Sequence, residues 1–305
     1  MNYAGVISAI LDILIIIVLG YIIKRTNLVS ENMITELNKL CFTIFFPVKI
    51  MMSFYRAEIA GILTLNYFIY VLVAMLVSML FVTLMSRFIF KNKEHFVINA
   101  NASYRGNFII MSFPILESIY GEQGIAIAGA ITGISQFFYN FYSIGLFESL
   151  KGSRISIPEQ LKKIVTTPLM IGVFAGVILY FTKLNLYFAE SPLRTIGNLA
   201  SPTALICLGY GLNLKIDKKY LPDTAWTSVI KLILMPLIAL LVANFFKLTE
   251  MQRIVAVVLF GSPTAVNTFV FSKHYRVLED LARYHILVTT ILYLFTILFM
   301  LRIAA

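Results

Sequence analysis

Ten runs of mainly apolar residues, each of about 18 to 25 positions, constrain this chain more than any other feature. They fall at about 6–24, 34–54, 64–87, 96–120, 123–148, 166–183, 193–213, 225–247, 251–273 and 280–302. A helix of that length crosses a hydrocarbon slab about 30 Å thick. Barrel strands would be shorter and would alternate polar with apolar residues, which these runs do not. With 13% charged residues and a mean hydropathy of +0.86, a soluble or disordered domain is excluded. The predicted fold class is an all-α integral membrane protein with ten transmembrane helices.

The net charge of +10 has no basic stripe interleaved with aromatic residues, so nucleic acid is not an expected partner. Assigning cations to alternate loops places fifteen on one side of the membrane and six on the other. By the positive-inside rule the richer side is cytoplasmic and both termini face out. Lys39, Lys49, Arg105 and Lys231 remain inside helices. The first run leads straight into Lys24-Arg25 with no basic segment before it and no A-x-A site, so it reads as a retained span. Cys41 and Cys207 sit in apolar runs and read as free buried thiols.

The stretch 149–163 (SLKGSRISIPEQLKK) divides the chain into a five-helix repeat at 1–148 and a second at 164–305. An odd number of spans per half makes the second repeat enter the membrane inverted. "GYIIKRTNL" from Gly20 is similar to "GVILYFTKLNL" from Gly176, and the second helix of each half carries a proline, Pro47 and Pro202. The fourth helix of each half is expected to break at proline, Pro114 in the first and Pro263 in the second. Matched broken helices in inverted repeats point to a secondary transporter with a midplane site. Pro114 lies about 22 Å along its helix from Asn99, and Pro263 about 18 Å from Met251, so the breaks can meet deep in the bilayer. Proline removes an amide donor and frees carbonyls near Ile110 and Met111. In lipid such groups must face protein or a water-filled cavity.

Asn107, seven residues before Pro114, is expected on the same helical face, and Asn267 is expected to share a face with Pro263. Ser112, Ser262, Thr264 and Thr268 add uncharged donors, and half-helix N-termini add amides that suit an anion. The alternative is that these side chains tie helices together. Arg105 is a cation inside a span, a functional hypothesis unless it snorkels or pairs with a carbonyl. Asp12, well inside the first run, is the candidate for proton coupling, unless neighbours or water solvate it. Gly129-x-x-x-Gly133 and Gly172-x-x-x-Gly176 read as packing sites, and His95, His274 and His285 have no metal spacing. There is no phosphate-binding loop and no hydrolase motif, so neither an enzyme nor a bound cofactor or metal is expected.

"RGNFIIMSFPI" (105–115), "SPTALICLGYGL" (201–212) and "FVFSKHY" (269–275) together resemble the auxin efflux carrier family, which includes bacterial malate-permease-like transporters. The resemblance implies two inverted repeats in the bile-acid-symporter-like fold. Helices 1, 2, 6 and 7 would form a scaffold, and helices 3–5 and 8–10 a transport core crossing at the prolines. It also implies elevator-type carriage of small organic anions across a plasma membrane, often by a homodimer, with Asn107 at the carboxylate-binding position. The sixth helix opens with Thr167-Pro168 where the family often has Asn-Pro, and the long cytoplasmic loop of many plant members is absent. The expected partner is a carboxylate. The rival readings are a sodium-coupled organic-anion symporter and a non-transporting sensor or scaffold.

Overall fold

The computed structural model describes residues 3–55, 61–151, 162, 165–212 and 217–304. Most of the 149–163 linker lies outside the described residues, as do Arg56, Arg154, Lys163 and Lys215. Among the described residues every regular element is helical, and the only strand-like feature is one isolated antiparallel bridge between Gly106 and Thr264.

The helices, in chain order, are α1 (Tyr3–Arg25), α2 (Glu31–Tyr55), α3 (Leu65–Ile89), α4 (Lys93–Tyr104), α5 (Phe113–Lys151), α6 (Pro168–Thr182), α7 (Glu190–Asn198), α8 (Ala200–Gly211), α9 (Lys218–Phe246), α10 (Glu250–Phe260), α11 (Asn267–Tyr275) and α12 (Glu279–Ala304). Of these, α1, α2, α3, α9 and α12 are long and apolar enough to cross a membrane, and α6 is a shorter apolar helix.

Helix starts follow local chemistry. The Thr64 hydroxyl accepts from the amide of Tyr67, and the Asn92 side chain accepts from those of Glu94 and His95. Thr249 and Gln252 form a reciprocal capping box at α10. Thr167 caps α6 with Pro168 in the first turn, where a missing amide costs nothing. Helix α5 is interrupted at Gly121, whose φ of 58° requires a residue without a Cβ. Both α2 and α9 contain a π-helical turn, at Cys41–Phe45 and Ile230–Leu234.

The residues form two compact units. The first comprises 1–61, 113–134 and 158–212. Within it α1 lies against α8, and the second half of α2 packs on α6 and α7. A Cβ at Gly20 would collide with the Ile206 carbonyl, and one at Gly209 with that of Ile17, so these two glycines set how closely α1 and α8 approach. Gly172 and Gly176 do the same on α6, against the backbones of Pro47 and Met51, in keeping with their reading as packing positions. Cys41 and Cys207 are both free and buried here.

The second unit comprises 62–112, 135–157 and 213–305. Here α3 packs on the second half of α9 and on α4, while α12 packs on α4, α9, α10 and α11. Tyrosine hydroxyls pin the ends: Tyr67 donates to the Gln252 carbonyl at 3.1 Å and Tyr70 to that of Ala239 at 2.9 Å. These two buried phenols thus have partners where water is scarce.

Candidate functional site

The fourth apolar run does break, but not at Pro114. Helix α4 ends at Tyr104, residues 105–107 are extended, and the chain restarts as a π-helical turn at Phe108–Ser112 that runs into α5. Pro114 is the second residue of α5, directly after that turn. The wider i→i+5 pattern takes up the missing proline donor without opening the helix. Because the spacing there is not 3.6 residues per turn, the expected shared face of Asn107 and Pro114 does not apply. In the ninth run the proline does sit in the break: α10 ends at Phe260 and α11 begins at Asn267, with Pro263 between them. Asn267 therefore opens a new helix instead of sharing a face with Pro263, and it is exposed.

The two breaks are joined. The amide of Asn107 donates to the Pro263 carbonyl at 2.8 Å, and the amide of Ala265 donates to the Arg105 carbonyl at 3.0 Å. This reciprocal pair is the Gly106–Thr264 bridge, a single rung of antiparallel ladder between two interrupted helices. Thr264 secures it further. Its amide donates to the Thr289 hydroxyl at 3.0 Å, and its own hydroxyl donates to the Ala102 carbonyl at 2.9 Å. The backbone groups released by the breaks are thus largely spent on each other, as low-dielectric surroundings demand. Gly106 is required by contact: a Cβ there would strike the Ser262 hydroxyl and the Phe108 ring.

Around the rung, several polar atoms have no partner. Asn107 Nδ2, Ser262 Oγ and Thr268 Oγ1 are buried without a hydrogen bond. Ser112 is satisfied, donating to the Val258 carbonyl at 2.9 Å. Beyond the rung begin two helical segments, at Phe108 and at Asn267, whose starts carry positive dipole character; at the second, the amides of Thr268 and Phe269 donate to the Ala265 and Val266 carbonyls, each at 3.0 Å.

Arg105 is 1% exposed, so it does not snorkel. One terminal nitrogen, Nη1, donates to Ser143 Oγ at 2.9 Å. The other, Nη2, donates to Gln136 Oε1 at 3.2 Å and to Asn140 Oδ1 at 2.5 Å. The guanidinium carbon also lies 5.3 Å from the centre of the Phe271 ring. Among the described residues it has no carboxylate within ion-pair distance. A second uncompensated cation is Lys231, fully buried on the π-helical turn of α9, whose Nζ donates to the Phe260 carbonyl at 2.9 Å. It caps the carbonyl end of α10 at the edge of the second break.

Of the predicted site residues, Arg105, Asn107, Ser112, Ser262, Pro263, Thr264, Asn267 and Thr268 all belong to the second unit. Pro114 and Asp12 belong to the first, where Asp12 is exposed on α1. Gly106, Gln136, Asn140 and Ser143 are not among the sequence-predicted site residues, and Lys231 reads from sequence only as a cation inside a helix. The spacing of Gln136, Asn140 and Ser143 by four and then three is a polar stripe on one helical face, a readable signal in an apolar run.

The profile of a family described as membrane transport protein matches residues 5–301. An uncharacterised transporter of Methanothermobacter thermautotrophicus is 25% identical over 96% of this chain and 96% of its own length. An uncharacterised transporter of Escherichia coli K12 is 24% identical over 89% of this chain and 88% of its own. A Rhizobium meliloti protein whose name proposes a malonate transporter is 31% identical over 45% of this chain and 43% of its own. Helices able to cross a membrane and a match along nearly the whole length lead to one assignment: this chain belongs to the membrane transport protein family, that of the auxin efflux carriers, a family of transporters and not of enzymes.

Proposed function

We propose that the protein is a secondary carrier for small carboxylates, with the substrate held at the junction of its two interrupted helices. The observation that carries this reading is Arg105: a guanidinium 1% exposed, held only by neutral groups, with no acid beside it among the described residues. A buried cation held this way lacks its counter-charge, and an anion entering the junction supplies it. Asn107 Nδ2 and Ser262 Oγ, without partners as they stand, give a carboxylate two further donors. The amides at the starts of the two restarted helices add dipole stabilisation.

The rest of the reading follows the sequence. Ten spans form two inverted repeats of five, both termini lie outside a plasma membrane, and the carrier works as a homodimer by elevator-like movement of a core against a scaffold. The relative named for malonate supports a short carboxylate as cargo. Net movement of each negative charge couples to the membrane potential by about 2.3 kcal/mol per 100 mV.

The test is charge movement on a solid-supported membrane carrying proteoliposomes of the purified protein, challenged with malonate and other mono- and dicarboxylates, with and without sodium. A saturable, sodium-independent current absent from empty liposomes is the expected result. Sodium-dependent current would instead favour a symporter, and the absence of both current and anion exchange would end the carrier reading.

A further inference from the structure

The last four carbonyls of α10, at residues 257–260, lack the donors that a continuing helix would supply. The Val257 carbonyl accepts from the Gly261 amide at 2.9 Å, that of Leu259 from the Ser262 amide at 3.1 Å, and that of Val258 from the Ser112 hydroxyl at 2.9 Å. Phe260 is different. The next residues able to serve it cannot: Pro263 has no amide hydrogen, and the Thr264 amide donates to the Thr289 hydroxyl. Its donor is instead Lys231 Nζ on α9, 2.9 Å away and 0% exposed.

A neutral donor satisfies such a carbonyl at far lower cost than a buried ammonium, as the Ser112 hydroxyl does at Val258. The charge on Lys231 is therefore what needs a reason. Among the described residues no carboxylate lies within ion-pair distance of Nζ. Asp223, also on α9, is engaged elsewhere: its Oδ1 lies 2.7 Å from His95 Nδ1 and accepts from Asn99 Nδ2 at 2.6 Å. What faces the ammonium is the negative end of α10, at a helix interruption. In carriers built on interrupted helices, that end is a place where coupling cations are held. The backbone fixes the lysine there. It sits on the π-helical turn Ile230–Leu234, and further along α9 Pro236 closes on the same end of α10: a Cβ at Gly261 would lie 3.3 Å from the Pro236 ring and 2.8 Å from the Val257 carbonyl.

We propose that the Lys231 ammonium occupies the cation-binding position at the carbonyl end of α10 as a resident coupling cation, and that shortening its side chain opens a site there for an exogenous monovalent cation. The coupling role rests on the carrier reading above. In a carrier driven by an ion, the arriving ion satisfies the freed carbonyls and fixes the junction for substrate. Here a tethered charge does so permanently, so substrate binding does not wait for an ion. Together with Arg105, Lys231 also gives the second unit two buried positive charges to set against a dianion.

The experiment compares wild type, Lys231→Ala and Lys231→Gln in proteoliposomes of the full chain, measuring exchange of radiolabelled malonate in choline, sodium or methylammonium chloride. Wild type exchanges equally in all three. Lys231→Ala exchanges about tenfold more slowly in choline, the loss of one hydrogen bond from a charged donor, and sodium or methylammonium restores most of the rate. Lys231→Gln keeps a neutral donor for Phe260 and fills the space, so it folds, is equally slow and is rescued by neither cation. The unfolding midpoint in detergent reads the site without malonate: sodium or methylammonium raises it for Lys231→Ala and not for wild type. Wild-type exchange by the Gln variant in choline overturns the proposal, because the charge would then be dispensable. Sodium dependence of wild type overturns it too, as does a Lys231→Ala protein that neither cation rescues in rate or midpoint, which would make the lysine a structural cap. If wild type exchanges no malonate while a cation still stabilises the Ala variant alone, the malonate carrier reading fails and the cation site stands.

Discussion

The amide of Asn107 reaches the Pro263 carbonyl at 2.8 Å, so one interrupted helix completes the backbone hydrogen bonding of the other. The pairing makes the second unit a single cooperative structure at this point, because neither break can close or slide without orphaning groups in the other.

Gly106 tests that dependence. A methyl group at this position collides with the Ser262 hydroxyl and the Phe108 ring, and the backbone cannot withdraw without losing the rung to Thr264. Gly106→Ala should destabilise the protein by about 1–3 kcal/mol, the usual cost of overpacking. The unfolding midpoint in detergent should fall accordingly, and Ser262→Ala in the same chain should restore part of the loss. An unchanged midpoint would mean that the two breaks are not tightly joined.

Arg105 separates charge from geometry. Its two terminal nitrogens engage three side chains on one face of α5. Lysine keeps the charge but cannot reproduce that fork. We expect Arg105→Gln to abolish anion-dependent current, and Arg105→Lys to retain it with an apparent affinity about tenfold weaker, near 1.4 kcal/mol. Equal currents in wild type and the Gln variant would remove Arg105 from the substrate site.

Asn107 offers a cleaner probe, because its Nδ2 makes no hydrogen bond in the structure. Deleting a donor that the protein itself does not use should leave thermal stability unchanged or slightly improved. If the group serves a carboxylate, Asn107→Ala should nonetheless raise the KM for malonate by about tenfold, the loss of one charge-assisted hydrogen bond. A large fall in unfolding midpoint with unchanged KM would assign Asn107 to packing instead.

The sequence was informative where a property is additive along the chain. Apolar length marked an all-helical chain, with five helices long and apolar enough to cross a membrane among the described residues, and burial of Cys41 and Cys207 followed from their neighbours. It was less informative where one contact decides the local backbone. Proline marked the ninth-run break correctly but misplaced the fourth, since Gly106 sets that break through its approach to Ser262, and a π-helical turn absorbs Pro114. The partners of Arg105 lie 31 to 38 residues away, and Asp223 lies 128 from His95, separations that no local pattern encodes. Lys231 read simply as a lysine within a helix, because the carbonyl it caps belongs to α10.

In the first unit, Lys49 and Glu117 form a two-pronged ion pair, with Nζ 2.8 Å from both carboxylate oxygens. The lysine side chain is 7% exposed and the glutamate 38%, so the pair is desolvated on one side only. Removing one partner from such a pair hurts more than removing both. Glu117→Gln leaves a buried ammonium with a weak partner and should cost about 1–3 kcal/mol. Lys49→Met strands a carboxylate that can still reach water, and should cost less. The double variant Lys49→Met, Glu117→Leu should approach wild-type stability, because it leaves neither partner's charge uncompensated. Unfolding midpoints of the four proteins in one detergent complete the double-mutant cycle. Additive losses would show that the pair is held in place without stabilising the fold.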